Sequence, residues 1–172
     1  MGLSEATTTD RQFALSSGPD QGNMLLDRQL CFAFYAASRL ITRLYQPLLE
    51  PFGLTYPQYV ALMVLWEDAP CSVSHIGART LLNSNTLTPL LKRLERLRYI
   101  RRNRSAGDER IVNVSLTCEG IELKSKCACI PASLRSSINL TPEKTLALKD
   151  SVEELLRELQ TISAPPTAKS PF

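Results

Sequence analysis

Between Asn83 and Arg110 a leucine stripe, a concentration of positive charge and an alternating apolar pattern follow one another directly, and few folds accommodate all three. Leu87, Leu90, Leu91, Leu94 and Leu97 recur at the three-and-four spacing that gathers them on one side of an α-helix. Asn85, Thr88, Lys92 and Arg96 fall on the other side. One face suits a core and the other suits a polar partner. Tyr99 to Asn103 and Arg110 to Leu116 then read as two strands, the second alternating at Val112, Val114 and Leu116. Ser105-Ala106-Gly107-Asp108 supplies the turn, so the helix is followed by a hairpin wing.

Charge identifies the partner that this unit suits. Lys92 to Arg110 holds eight basic residues against three acidic ones, a local +5 in a chain whose formal charge is +3, which leaves −2 for the remainder. Basic residues set within a periodic, core-forming segment are presented as one surface to a polyanion, and nucleic acid is the expected partner. A helix fits the major groove of B-DNA, where short polar and basic side chains bond base edges and phosphates. Ser84, Asn85, Thr86, Thr88, Lys92 and Arg93 are the candidates on the helix. Arg104 at the wing tip suits a neighbouring minor groove, and Arg101, Arg102 and Arg110 suit phosphates or internal pairing. The bland alternative, a solvated charged face, explains the charge but not its conjunction with a helix and a wing.

The flanks are helical. Leu30, Phe34, Ala37, Ile41, Leu44 and Leu48 mark a long first helix between Met24 and Leu49, with Pro47 near its end. Thr55 caps a second that runs through Tyr59, Leu62, Met63 and Trp66, with Pro57 in its first turn. Ser72 and Ser74 offer caps for a short third helix through Ile76 and Leu81, and a break at Asn83 to Asn85 leads into the leucine-striped helix. Pro89 is awkward there, and that helix is expected to begin late or to kink. From Thr117 a helix runs through Ile121 and Leu123 toward Pro131, and Thr141-Pro142 opens a last one through Leu148, Val152, Leu155, Leu156, Leu159 and Ile162.

These elements make a mainly α, α+β winged-helix chain with one core. The expected organisation is a single domain over 24–162, with a DNA-binding core at 55–116 and dimerisation helices at 24–50 and 117–162, between disordered segments at 1–23 and 163–172. The terminal helices carry more apolar face than the core covers, and a homodimer is the expected way to cover it. No apolar run is long enough to span a membrane, and the first residues lack the apolar core of a secretion signal, so a cytoplasmic location is expected.

In that reducing compartment the five cysteines, Cys31, Cys71, Cys118, Cys127 and Cys129, are not expected to form a disulfide framework. With a single histidine, His75, they lack the spacing of a zinc site, and neither metal nor cofactor is expected. His75 has no partner set for catalysis and reads as a surface or packing residue. Cys71 and Cys118 read as packing residues, with Cys118 a secondary sensor candidate because it follows the expected cap Thr117.

Leu87-Thr88-Pro89-Leu90-Leu91-Lys92-Arg93-Leu94-Glu95 and Asp108-Glu109-Arg110 resemble the MarR family, and Gln29-Leu30-Cys31-Phe32 with Thr55-Tyr56-Pro57-Gln58-Tyr59 resembles its organic-hydroperoxide-sensing OhrR-type branch. The resemblance covers about residues 26–159. It departs at Leu82-Asn83-Ser84-Asn85-Thr86, where the branch usually has an acidic residue and a glycine, and this implies an altered operator preference. The resemblance implies a repressor that binds a pseudo-palindromic operator as a dimer and releases it when an organic hydroperoxide oxidises Cys31. It further implies that Tyr45 and Tyr56 donate hydrogen bonds to the Cys31 sulfur; Tyr35, one helical turn after Cys31, is placed by spacing to converge on it as well. A two-cysteine subgroup forms a disulfide between subunits, which makes Cys127 and Cys129 the candidate resolving thiols. Two alternatives stand beside this reading: release by a non-covalent phenolic or aromatic ligand, and, more distantly, a thiol peroxidase. An enzyme is not expected, because no activating constellation beyond tyrosines surrounds any cysteine.

Overall fold

The computed structural model describes residues 25–163 apart from Ala106, Glu109 and Asn139. The expected disordered segments, save Ser163, and the contributions of Ala106 and Glu109 to the wing lie outside the described residues. In chain order the elements are a 3-10 turn at Leu26–Arg28, α1 (Leu30–Leu49), a 3-10 turn at Glu50–Phe52, α2 (Tyr56–Asp68), β1 (Cys71–Ser72), α3 (Val73–Thr80), α4 (Ser84–Arg96), β2 (Ile100–Arg104), β3 (Val112–Leu116), α5 (Cys118–Cys127), α6 (Ile130–Ser137) and α7 (Pro142–Ser163). They divide within α1 into two compact units, one up to Ile41 and one from Thr42 onward.

In the first unit α1 begins at Leu30, the first residue of its apolar stripe, after the 3-10 turn rather than near Met24, and its aromatic side chains group locally. Phe32 and Tyr35 lie 6.4 Å apart, and the Arg39 guanidinium sits 6.0 Å from the Tyr35 ring.

The second unit is built around α2. Gln58, Tyr59, Ala61, Leu62, Val64 and Leu65 are all buried, which places this helix among neighbours on several sides. The Gln58 side-chain oxygen accepts from the Thr55 amide at 2.8 Å, satisfying a donor that the helix start would leave free. Each of the next two helices is capped by the residue before it. The Ser72 hydroxyl accepts from the His75 amide at 3.1 Å, and the Asn83 side chain accepts from the Thr86 amide at 3.0 Å.

The expected late start of α4 does not occur, because the helix begins at Ser84, ahead of Pro89, and runs to Arg96. An interior proline costs about 3 kcal/mol. The same helix buries Leu87, Leu90, Leu91 and Leu94, each worth about 2 kcal/mol, so packing prevails. Pro89 deprives the Asn85 carbonyl of its helical partner, and both residues are on the exposed face. The helix ends in two reverse bonds, Arg98 amide to Glu95 carbonyl at 2.9 Å and Tyr99 amide to Leu94 carbonyl at 3.1 Å, with Arg98 left-handed at φ 63°. This turn delivers the chain directly into the wing.

The wing strands pair antiparallel, Ile100 opposite Leu116, Arg102 opposite Val114 and Arg104 opposite Val112. The second strand starts at Val112 rather than at Arg110. Arg110 and Ile111 belong to the turn, where both their amides bond to Asp108, through its side chain and its carbonyl respectively, at 2.9 Å. A third strand went unanticipated: β1 pairs Cys71 with Val114 and Ser72 with Asn113, giving the order β1-β3-β2. Two residues are too few to display alternation.

The helix expected from Thr117 toward Pro131 is two helices, α5 and α6. Pro131 lacks the amide that would continue the first, and it opens the second. α5 lies tightly on the wing base. The Trp66 indole donates to the Gly120 carbonyl at 2.9 Å, the Thr117 amide donates to the Tyr99 carbonyl at 3.1 Å, and a Cβ at Gly120 would overlap that same Tyr99 oxygen. We therefore predict that Gly120→Ala lowers stability by about 3 kcal/mol, an overpacking clash against backbone, measured by chemical denaturation as a fall in midpoint.

Candidate nucleic-acid interface and thiol site

The helical spacing that buries the α4 leucines turns Ser84, Asn85, Thr86, Thr88, Lys92, Arg93 and Arg96 outward, and all seven are exposed. Arg104, at the end of β2, and Arg110 are exposed as well. Arg110 is held only loosely by Asp108, with 3.5 Å between the charged atoms and a side chain 94% exposed. Lys92, Arg93, Arg96 and Arg104 form no ion pair with the described residues. The structure thus collects the sequence candidates onto one helix face and one wing, and of their cationic groups Arg110 alone is paired among the described residues.

Arg102 is different. Its guanidinium donates to Glu95 Oε2 from Nε at 3.0 Å and from Nη2 at 2.7 Å, and its backbone amide donates to Glu95 Oε1 at 3.1 Å. These bonds hold the Glu95 carboxyl below the usual carboxylate range. Of the two roles open to Arg102, internal pairing is the one adopted. His75 lies on the surface, its Nε2 2.7 Å from Asp68, whose carboxylate also pairs with Arg79.

The thiols occupy unlike environments. Cys31 is exposed near the start of α1, and Phe34 and Tyr35 beside it are exposed too. Cys118 and Cys129 are exposed, whereas Cys71 is half-buried and desolvation pushes its thiol up. Cys127 is only 2% exposed, and burial, with a smaller contribution from Cys129, pushes its thiol up to about 11. A resolving cysteine must meet another sulfur, and the core position of Cys127 argues against it on access and on ionisation alike. Of the two candidates, Cys129 alone keeps an accessible sulfur.

Tyr45 and Tyr56 are brought together with their ring centroids 4.6 Å apart, and the stack continues through Tyr59, 5.9 Å from Tyr45, to Trp66, 5.9 Å from Tyr59. Burial first, then Tyr56, raises the Tyr45 phenol above its ordinary value. A separate open cavity of about 650 Å³ lies between α6 and α7, lined mainly by apolar side chains with Arg135, Ser136 and Thr145 among them. Among the described residues no cluster of histidine, cysteine, aspartate and glutamate could hold a metal, and no helix is long and apolar enough to cross a membrane.

The family described as transcriptional regulator SarA/Rot matches residues 43–127. The organic hydroperoxide resistance transcriptional regulator of Bacillus subtilis is 44% identical over 137 residues, spanning 80% of this chain and 93% of that protein. The chain belongs to the MarR-like, SarA/Rot-type family of winged-helix transcriptional regulators. The HTH-type transcriptional regulator TtmR of Methylorubrum extorquens is 47% identical over 134 residues, 78% of this chain and 69% of that one. The solved structure of reduced AbfR, a Staphylococcus epidermidis protein, bound to DNA superposes with a TM-score of 0.67 at 37% identity, covering 81% of this chain and 97% of that chain. The protein is a regulator rather than an enzyme, and the fold expected from the resemblance is the one found.

Sequence reasoning left the Glu95–Arg102 pair unassigned, because a carboxylate and a guanidinium seven positions apart, on a helix and a strand, share no periodicity. The burial of Cys127 did have a signal. Gly120, Leu123, Cys127 and Ile130 recur at three-four-three spacing, and all four are buried. Thiol labelling of the folded regulator at pH 8 is expected to modify Cys118 and Cys129 promptly and Cys127 only at the rate of unfolding, as read by mass spectrometry of time points.

Proposed function

We propose that this regulator is a homodimeric repressor that binds double-stranded DNA through α4 and the wing, and that an organic hydroperoxide releases it by oxidising Cys31. The observation that carries the DNA half is the conjunction of an exposed polar and cationic α4 face with a basic wing; likeness to a regulator solved on DNA supports it. Ser84, Asn85, Thr86, Thr88, Lys92 and Arg93 would meet the major groove, with Arg104 and Arg110 on the wing at the adjoining minor groove and phosphates. Two copies would span half-sites about one helical turn, roughly 34 Å, apart.

The dimer follows from unpartnered apolar faces. Leu30, Phe34, Ile41 and Leu44 on α1, and Leu148, Leu156, Leu159 and Ile162 on α7, are exposed in the single chain, more apolar surface than a monomer ordinarily leaves to water. Cytoplasmic residence fits five free thiols.

At the input, the Cys31 thiolate attacks the terminal peroxide oxygen, the O–O bond breaks, the hydroxyl passes to sulfur and the alkoxide leaves as the alcohol after taking a proton. Sulfur is oxidised to the sulfenic acid and the peroxide is reduced. Exposed Phe34 and Tyr35 suit an organic substituent. Tyr45 and Tyr56 would donate to the sulfur. A sulfenic acid that meets the Cys129 thiol would lose water to form the disulfide.

A second reading, release by a phenolic or aromatic acid, draws on the α6–α7 cavity with its Arg135. One experiment separates the two. In a gel shift with cumene hydroperoxide, the wild type should leave its DNA while Cys31→Ser stays bound through at least a tenfold excess of peroxide; equal release of both proteins would overturn the thiol switch.

A further inference from the structure

We propose that Glu95 is a positioning residue for DNA recognition, which by holding Arg102 locks the wing to α4 so that both engage a duplex as one rigid piece. This rests on the DNA-binding reading above. Glu95 lies in the last turn of α4 and Arg102 at the middle of β2. β2 is an edge strand, since the sheet order is β1-β3-β2, and an edge strand presents alternate amides away from its neighbour. Glu95 takes one of these, the Arg102 amide, with Oε1 at 3.1 Å, and with Oε2 it takes Nε at 3.0 Å and Nη2 at 2.7 Å of the same residue. Three bonds from one residue, two of them through a planar fork, fix a strand both in position and in rotation about its axis.

The cations around it favour the carboxylate in the free protein, yet it lies on the surface that would face phosphates. A cleft of about 480 Å³ between α4 and the wing is lined by Pro89, Lys92, Glu95, Arg96 and Arg102. Glu95 is the sole acidic residue from Lys92 to Arg104. A negative charge among the groups that would face phosphates opposes binding at every sequence. The clamp offsets that penalty by fixing Arg104 and the wing tip relative to the groove-facing side chains of α4. Arg102, neutralised by Glu95, is then a fastener, and Lys92 and Arg96 remain for the backbone.

The two effects of Glu95 have opposite signs, which makes the proposal testable with Glu95→Gln, a variant of the same shape with one negative charge removed. The probes are a duplex enriched from a random-sequence pool by the reduced wild-type protein and a scrambled duplex of the same composition, with folding followed by circular dichroism. Positioning predicts that Glu95→Gln binds the enriched duplex about tenfold more weakly, while its binding to the scrambled duplex is unchanged or tighter. Arg102→Gln should produce the same loss with an unchanged salt slope, and the double variant should be no worse than either single one. Binding of the enriched duplex by Glu95→Gln as tightly as wild type, or more tightly, would overturn the proposal while leaving the DNA reading intact. So would a salt slope lowered by about one in Arg102→Gln, the mark of a direct phosphate contact. Failure of the wild-type protein to enrich any duplex would overturn the DNA reading and this proposal together.

Discussion

The burial of one face of α4 is the interaction on which the rest of the fold depends. Leu87, Leu91 and Leu94 are almost completely removed from water, among Leu62, Leu65 and Ile76 from α2 and α3 and Ile100 and Val114 from the wing. Because a helix has two sides, seating these leucines also determines which residues face out, and the same 3.6-residue period that builds the core displays Asn85, Thr88, Lys92 and Arg96. Removing a leucine from this face would cost about 2–5 kcal/mol and would loosen the helix that carries the cationic surface. Stability and the display of the cationic face are therefore coupled through one element.

A second constraint fixes the wing. The chain leaves α4 through the left-handed Arg98 and enters β2 at Ile100, and α5 approaches the Tyr99 carbonyl so closely that only glycine is tolerated at position 120. The Trp66 indole ties the carbonyl of that glycine to α2. Wing, α2 and α5 thus converge on the residues next to the C-terminal end of α4.

Wherever periodicity set the structure, the sequence was legible. The leucine stripe, the alternation of β3, the caps at Thr55, Ser72 and Thr117 and the Thr141-Pro142 start are local signals, and α2 to α5, α7 and the β2–β3 hairpin follow from them. Features decided by tertiary contact were not legible. β1 exists because Cys71 and Ser72 lie beside β3; α4 tolerates Pro89 because leucine burial exceeds the loss of one hydrogen bond; α5 stops at Cys127 and α6 opens at Ile130 with Pro131 in its first turn. At the site, the outward polar residues of α4 were read from spacing, whereas the commitment of Arg102 to Glu95 and the unequal burial of Cys127 and Cys129 depend on where the chain returns in space.

In our proposal these placements describe a regulator with an output surface on α4 and the wing and an input at the Cys31 thiol, coupled through a dimer whose two arrangements the oxidation state selects. Titration of the DNA-bound protein with cumene hydroperoxide, following the bound fraction and, by mass spectrometry, the thiol at each cysteine, measures input and output together. The bound fraction should fall in proportion to the loss of the Cys31 thiol, before Cys71, Cys118 or Cys127 is modified. DNA that stays bound after Cys31 is fully oxidised, or release that runs ahead of its oxidation, would contradict a switch at this residue.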